Sequence, residues 1–360
     1  MTEVESVIPE ETGFGKNRYH RLQVADVIVE THDSKSVVFT IPKENEELFS
    51  YKAGQFLTLK VPYDGKNLIR CYSLASSPDV DSEHKVTIKR VVDGRISNWI
   101  NDDVKPGDFI DVMPPAGIFY LNDGDNDVVL FGGGSGVTPV ISILKTALKK
   151  TRRKVKLVYA NRDEQSVIFK EELAALESGH KDRLQVIYLF DNVDGFLSEE
   201  RVIQEVTGHD GGEFYVCGPG PFMDTVENTL LKLGEDKRRI HVERFVSPPD
   251  PEEAAAQEAA ARAAVSGSTV TAFEVYLDGE TQEVPYESGD TLLQSMLKAG
   301  IDAPFSCEEG MCAACICTVE GGDTVLGNNE VLSREELDEG LTLACQCRPV
   351  SGPLKVVFED

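Results

Sequence analysis

Hydrophobic and polar positions change their rhythm twice along this chain, and each change marks a different kind of structure. Short runs rich in β-branched and aromatic residues come first: Leu22–Val29, Ser36–Ile41, Gln55–Val61, Lys85–Val91 and Asp108–Met113. Gly54, Gly65, Gly94 and the pair Pro106 and Gly107 separate them, as turn residues separate strands. That spacing predicts a small antiparallel β-barrel over 19–122. The pattern then alternates. Asp127–Phe131, Lys154–Tyr159, Leu184–Phe190 and Phe214–Cys217 are apolar runs, while Val137–Lys149, Glu171–Glu177 and Gly220–Lys232 have helical period. Strands alternating with helices predict a parallel sheet with crossover helices over 123–246.

A third unit is expected from Thr269 onward. Thr271–Leu277 and Glu280–Pro285 flank Asp278 and Gly279, a hairpin signal. Asp290–Ala299 has helical period, and Leu354–Phe358 is a closing strand. Between the second and third units lie Pro248, Pro249 and Pro251, an Ala-rich stretch over Ala254–Ala264, and Ser266, Gly267 and Ser268. The Ala-rich stretch has the composition of a short helix but no apolar stripe with which to pack, so 247–268 is assigned as a linker.

A chain of 360 residues is too long for one ordinary domain, in line with this division. No run reaches the roughly 18 consecutive apolar residues of a membrane helix, and the acidic opening segment has no secretory signal. The expectation is a cytoplasmic monomer with a disordered tail over 1–18 and no membrane insertion. A net charge of −26 argues against nucleic acid, whose phosphates it would repel. The charge is uneven: from Thr269 to Asp360 there are 18 Asp and Glu against 4 Lys and Arg. Such a face either keeps the protein in solution or steers a basic partner.

Cysteine is just as uneven. Cys71 and Cys217 stand alone, whereas Cys307, Cys312, Cys315, Cys317, Cys345 and Cys347 crowd the C-terminal unit. Disulfides are rare in reducing compartments, so a crowd of this kind points to metal. Cys307, Cys312 and Cys315 have C-x4-C-x2-C spacing, and Cys345 follows after 29 intervening residues. That is the plant-type spacing for a [2Fe–2S] cluster. A structural zinc site tends to use two matched short pairs, which this lopsided loop lacks. Gly310, Ala313 and Ala314 are small enough for backbone N–H groups to approach the sulfurs. Cys317 and Cys347 fall outside the spacing and are assigned to packing. The segment 269–360 resembles plant-type ferredoxins, which implies an α+β (β-grasp) fold.

The barrel carries two further strings. Arg70, Cys71, Tyr72 and Ser73 end a β-run: Arg can fork onto a pyrophosphate, Tyr can stack on a flat ring and Ser can hydrogen-bond a ring nitrogen. Thr87, Ile88 and Lys89 close a later strand, and Gly94, Arg95, Ile96 and Ser97 turn into a helix whose free N–H groups suit phosphate. A Ser97 helix cap is the plainer alternative for that turn. In the next unit, Gly132, Gly133, Gly134, Ser135, Gly136, Val137, Thr138 and Pro139 link a strand to a helix, although Val137 departs from the G-x-G-x-x-G fingerprint. Cys217, Gly218, Pro219, Gly220, Pro221, Phe222 and Met223 follow a later strand of the same sheet.

Together these strings resemble the ferredoxin–NADP reductase family. The resemblance implies that Arg70, Cys71, Tyr72, Ser73, Thr87, Ile88, Lys89 and Gly94–Ser97 hold FAD. It implies that Gly133, Gly134, Ser135, Gly136, Thr138, Pro139, Arg162, Gly218, Pro219, Phe222 and Met223 serve the nicotinamide dinucleotide. Ser73, Cys217, Glu243 and Phe245 are then expected at the reacting centre, with core packing the alternative for Phe245. Arg162 suits a 2′-phosphate, but Asp163 and Glu164 beside it oppose one, so NADH is expected over NADPH. Hydride carries two electrons and a [2Fe–2S] cluster accepts one; a flavin takes the pair and releases electrons singly. The module order resembles the reductase components of ring-hydroxylating systems, which implies a Rieske-type terminal oxygenase as partner. A reductase for a di-iron oxygenase, and a cofactor-poor electron carrier or metal-binding protein, are the rival readings.

Overall fold

The computed structural model describes residues 19–245 and 251–358. The expected tail over 1–18 and the start of the assigned linker, 247–250, lie outside the described residues. The described residues form two compact units, one built on 19–245 and one on 251–310 and 315–358.

The first unit begins with β1 (His20–Thr31), β2 (Ser34–Thr40), β3 (Phe56–Tyr63), β4 (Lys66–Ser73), β5 (His84–Lys89), α1 (Arg95–Asp102) and β6 (Phe109–Val112). Its strands are antiparallel in the order β4-β3-β6-β1-β2-β5, and a bridge between Leu74 and Val86 ties the two ends into a barrel. Alternate residues of each strand point inward, so Leu22 and Val24, Leu57 and Leu59, and Val86 and Ile88 fill one core.

A parallel sheet follows: β7 (Val128–Gly133), α2 (Val137–Lys150), β8 (Val155–Asn161), α3 (Lys170–Gly179), β9 (Leu184–Phe190), α4 (Asp191–Asp194), α5 (Glu199–Val206), β10 (Glu213–Cys217), α6 (Gly220–Leu233) and β11 (Ile240–Glu243). Strand order is β11-β10-β7-β8-β9, all parallel. The order reverses between β7 and β10, and a crevice opens at the carboxyl ends of strands at such a switch point.

Polar contacts fix the barrel against this sheet. Lys145 of α2 is almost fully buried yet lies 2.6 Å from Asp81 of the barrel and 2.8 Å from Glu172 of α3. Beside it, Ser142 Oγ donates to the Ser76 carbonyl at 2.6 Å, and Ser77 and Thr146 hydroxyls meet at 2.7 Å. A buried cation is tolerable only when paired in this way.

The second unit contains α7 (Pro251–Ala264), β12 (Ala272–Leu277), β13 (Glu280–Pro285), α8 (Leu292–Lys298), β14 (Ile316–Glu320), β15 (Asp323–Leu326), α9 (Arg334–Asp338), β16 (Leu341–Leu343), β17 (Cys347–Ser351) and β18 (Lys355–Val357). Its main sheet has the order β13-β12-β18-β14-β16, with β12 and β18 parallel and the other pairs antiparallel. A Thr291–Gln294 capping box starts α8, which packs Leu292, Leu293 and Met296 into the core.

Within the assigned linker the Ala-rich stretch forms the helix α7, held to its unit by a salt bridge of 2.6 Å between Glu258 and the fully buried Arg348. Ala261 and Val265 are buried alongside. A single charged contact and two small apolar ones leave no apolar stripe for the sequence pattern to display.

Candidate functional site

The barrel and the parallel sheet enclose a cleft of about 820 Å³, within the range of cofactor sites. Four strings singled out in the sequence meet there: Arg70–Ser73, Gly94–Ser97, Gly133–Ser135 with Thr138, and Gly218, Pro219 and Phe222. Thr87, Lys89, Arg162 and Phe245 also line it.

Three helix starts converge on this cleft. Gly94 precedes α1, Gly136 precedes α2 and Pro219 precedes α6, and none supplies a side-chain cap. No side chain therefore competes for the first N–H groups of α1 and α6, while the Val137 N–H that opens α2 is already donated to the Gly134 and Ser135 carbonyls. Ser97 does not cap its own helix: its Oγ accepts from the Val91 N–H at 3.2 Å and closes the turn before it.

The glycines are required by packing. A Cβ on Gly136 would lie 2.1 Å from the Cys217 carbonyl oxygen, and one on Gly133 would lie 2.7 Å from Pro219 Cδ. The turn after β7 thus rests directly on the turn after β10, across the point where the strand order reverses. Val137, in place of the fingerprint's last glycine, is instead buried in the core against α2 and the sheet.

The wall fits a flavin dinucleotide on three observations. Ser73 Oγ is buried with no hydrogen-bond partner among the described residues, an arrangement that invites an acceptor or donor from a bound group. Tyr72 is partly buried and lines the cleft, and desolvation pushes its phenol above the usual range, so the ring presents an uncharged face. The uncapped start of α1 supplies N–H groups one strand away.

Several expected residues stand outside the cleft wall. Ile88 is fully buried in the barrel core, and Met223 is buried against β10 and α6. Gly136 and Pro139 are buried under the glycine turn. Cys217 is fully buried, and its thiol is raised by burial and, less, by Glu243, its register partner on β11. Glu243 is enclosed with its Oε2 unpartnered among the described residues; burial raises its carboxyl to about 8. Phe245 is not core: it is 45% exposed and lines the cleft.

Other lining residues carry no sequence signal. Asp33, in the turn between β1 and β2, lies 2.7 Å from Arg162. Asn161, Asp191, Phe196 and Thr225 line the cleft as well. Only the glycine turn before α2 hints at them, since ribose contacts follow the next strand.

In the second unit the cysteine loop is held by side chains from elsewhere. Gln346 Nε2 donates to the Glu308 carbonyl at 2.8 Å, and Asn328 Nδ2 donates to the Glu309 carbonyl at 2.7 Å. Gly310 has φ +75° and would place a Cβ 2.2 Å from the Asn328 carbonyl oxygen, so only glycine fits. Glu308 and Ala313 also take positive φ, which makes this a tightly wound, strained loop. The Cys345 thiol is raised by a hydrogen bond with Cys315, by burial and by Cys307 nearby, while the Gly310 N–H opposes the rise. Among the described residues no three His, Cys, Asp or Glu side chains form a single-ion site. A plant-type diiron cluster takes four thiolates, two on each iron. Cys317 and Cys347 are buried among Phe273, Val356 and Leu343, in keeping with packing.

Comparison with known proteins matches three family models in succession. These are an oxidoreductase FAD-binding domain over residues 21–120, an oxidoreductase NAD-binding domain over 130–228, and a 2Fe-2S iron-sulfur cluster binding domain over 275–350. The ferredoxin reductase component of 3-ketosteroid-9-alpha-monooxygenase from Rhodococcus rhodochrous is 45% identical, over 94% of this chain and 96% of its own. One component of the 1,2-phenylacetyl-CoA epoxidase from Escherichia coli strain K12 is 32% identical, over 95% and 98%. Phthalate dioxygenase reductase shares the fold, with a TM-score of 0.58 at 24% identity over 94% of this chain and 98% of that one. No helix among the described residues is long and apolar enough to cross a membrane. With FAD-, NAD- and 2Fe-2S-binding domains in one chain, aligned from end to end with such relatives, this protein belongs to the family of oxidoreductases that act as ferredoxin reductase components of monooxygenases.

Proposed function

We propose that this chain draws electrons from NADH and delivers them singly to a Rieske-type terminal oxygenase of the 3-ketosteroid 9α-hydroxylase kind. The observation that carries the reading is the identity of 45% to one such reductase across nearly the whole of both chains, against 32% to the epoxidase component. Steroid ring hydroxylation would occur on the partner, and this chain would never touch the steroid. It would act as a cytoplasmic monomer.

Bound FAD would supply the conversion of a two-electron donor into single electrons, and a [2Fe–2S] cluster would supply the outgoing carrier. The residues' part is to bind and orient. Arg70 and the N–H groups of Gly94–Ser97 would neutralise the flavin pyrophosphate, with Tyr72 against the ring and Ser73 Oγ bonding its edge. The turns at Gly133–Ser135 and Gly218–Pro219 would cradle the nicotinamide dinucleotide, with Phe245 covering the ring site. Glu243, protonated at neutral pH, would hold a proton at Oε2 close to Cys217. Cys307, Cys312, Cys315 and Cys345 would hold the cluster.

Anaerobic NADH titration of the purified holoprotein tests the electron path, and turnover with candidate oxygenases tests the partner. Bleaching of both the flavin bands and the reddish cluster shoulder is expected, with product formed by the 3-ketosteroid 9α-oxygenase. Coupling only to a di-iron epoxidase would overturn the partner assignment. A colourless, zinc-containing preparation would overturn the reading altogether.

A further inference from the structure

The nucleotide preference of this cleft turns on a residue of the barrel, not of the nucleotide layer. Arg162 ends the stretch after β8, the strand beside the glycine turn, where a dinucleotide's 2′ position is read in sheets of this kind. Its side chain is 60% exposed at the cleft wall. An arginine there, taken alone, selects a 2′-phosphate.

Its acidic neighbours in sequence bond elsewhere, although the Asp163 carboxylate still feels the Arg162 charge. Asp163 Oδ1 accepts from the Ser166 N–H and hydroxyl, each at 2.9 Å, and so closes its own turn. Glu164 pairs with Lys170 at 2.7 Å. The direct ion pair to Arg162 comes from Asp33, whose Oδ2 lies 2.7 Å from Arg162 Nη2. This carboxylate is largely buried and locked in place: its Oδ1 accepts from Thr31 Oγ1 at 2.9 Å and from Ser34 Oγ at 3.3 Å. The same Oδ2 lies 3.9 Å from Lys89 Nζ and 3.8 Å from His32 Nε2. Lys89 in turn stands over Gly134 of the glycine turn.

We infer that Asp33 is a specificity-determining residue that excludes NADPH by occupying Arg162. A 2′-phosphate, with a charge of about −2, would have to displace a fixed carboxylate and remain beside its negative charge. The 2′-hydroxyl of NADH carries no charge and can donate to that carboxylate. The inference rests on the reading of the cleft as the dinucleotide site.

Asp33→Asn removes the charge but keeps an oxygen for Thr31 and Ser34. In the full-length holoprotein the ratio of kcat/KM for NADPH to that for NADH should rise at least about tenfold, mainly through KM for NADPH. Two non-reacting probes, 2′-phospho-AMP and 5′-AMP, should show the same shift in affinity by calorimetry. Asp33→Glu, which keeps the charge, should retain the parent ratio, and Arg162→Gln added to Asp33→Asn should abolish the gain. An unchanged ratio in Asp33→Asn, equal losses with both nucleotides, or a gain that survives the second substitution would each overturn the inference. A parent protein that prefers NADPH, or binds neither probe, would instead overturn the underlying reading of an NADH site.

Discussion

The salt bridge between α7 and the second unit offers a sharp test of how that unit is built. The Arg348 side chain is fully buried; its Nη2 lies 2.6 Å from Glu258 Oε2, while Nε donates to the Gly289 carbonyl at 3.2 Å and Nη1 to that of Gln346 at 3.4 Å. Glu258→Ala would leave the guanidinium facing two carbonyls and no counter-charge. Breaking a buried pair by removing one partner costs about 3–5 kcal/mol. Glu258 is itself 38% exposed, so water can reach Nη2 and the expected cost falls to about 2–3 kcal/mol. For a unit of roughly a hundred residues that lowers the unfolding midpoint by about 10 °C. Bleaching of the cluster absorbance on heating reads this unit, and release of flavin fluorescence reads the other, whose midpoint should not move. Glu258→Leu with Arg348→Met should recover most of the loss, because an apolar replacement leaves no buried charge unpaired. A Glu258→Ala midpoint within roughly 2 °C of the parent would refute the reasoning, since that spans well under 1 kcal/mol.

Three further outcomes follow from the site. Arg70→Ala should weaken FAD binding about 10–100-fold, the value of a hydrogen bond to a charged group, seen as flavin lost on dialysis; full retention would remove Arg70 from the pyrophosphate site. Cys345→Ser should purify with FAD but without the cluster band, keeping NADH-driven reduction of ferricyanide while losing transfer to the oxygenase; an intact band would dismiss it as a ligand. Burial lifts the folded-state value of Glu243 from 4.5 to about 8, so the stability of the protonated form is complete below pH 4.5 and is lost as pH rises towards 8. The loss is on the order of 4 kcal/mol, and Glu243→Gln, which cannot ionise, should unfold at higher urea than the parent at pH 9 but not at pH 4.5; equal midpoints at pH 9 would contradict a buried carboxyl there.

The barrel and the alternating sheet are legible in the chain because the periods of strand and helix are set by burial on one face or both. The cleft is legible where chemistry lies in contiguous strings, as in Arg70–Ser73, Gly94–Ser97 and Gly218–Phe222. Asp33 is not, because its partner Arg162 lies 129 positions away and no local pattern marks the pair. Nor is the docked state of α7, which among the described residues rests on Glu258, Ala261 and the following Val265. Cys217 and Met223 show the converse: a string that borders the cleft also contains residues buried behind its wall.

Two kinds of buried polar group among the described residues bear on how this protein is built and where its chemistry lies. Lys145, Lys156 and Arg348 are buried cations, and each meets a carboxylate within 2.8 Å: Asp81 and Glu172 for the first, Glu205 for the second, Glu258 for the third. Each joins separate elements, so its desolvation is offset by fastening barrel to sheet, strand to helix, or α7 to its unit. Ser73 Oγ and Glu243 Oε2 are buried without such partners and fasten nothing. Ser73 ends β4 at the cleft wall, and Glu243 ends β11 two residues before Phe245, which lines the same cleft. A structural role would favour alanine at the first and glutamine or leucine at the second, since an unmet polar atom costs about 1–3 kcal/mol. Two such atoms at the edges of one cleft suit a site for an external polar partner, beside the point where the two glycine turns already converge.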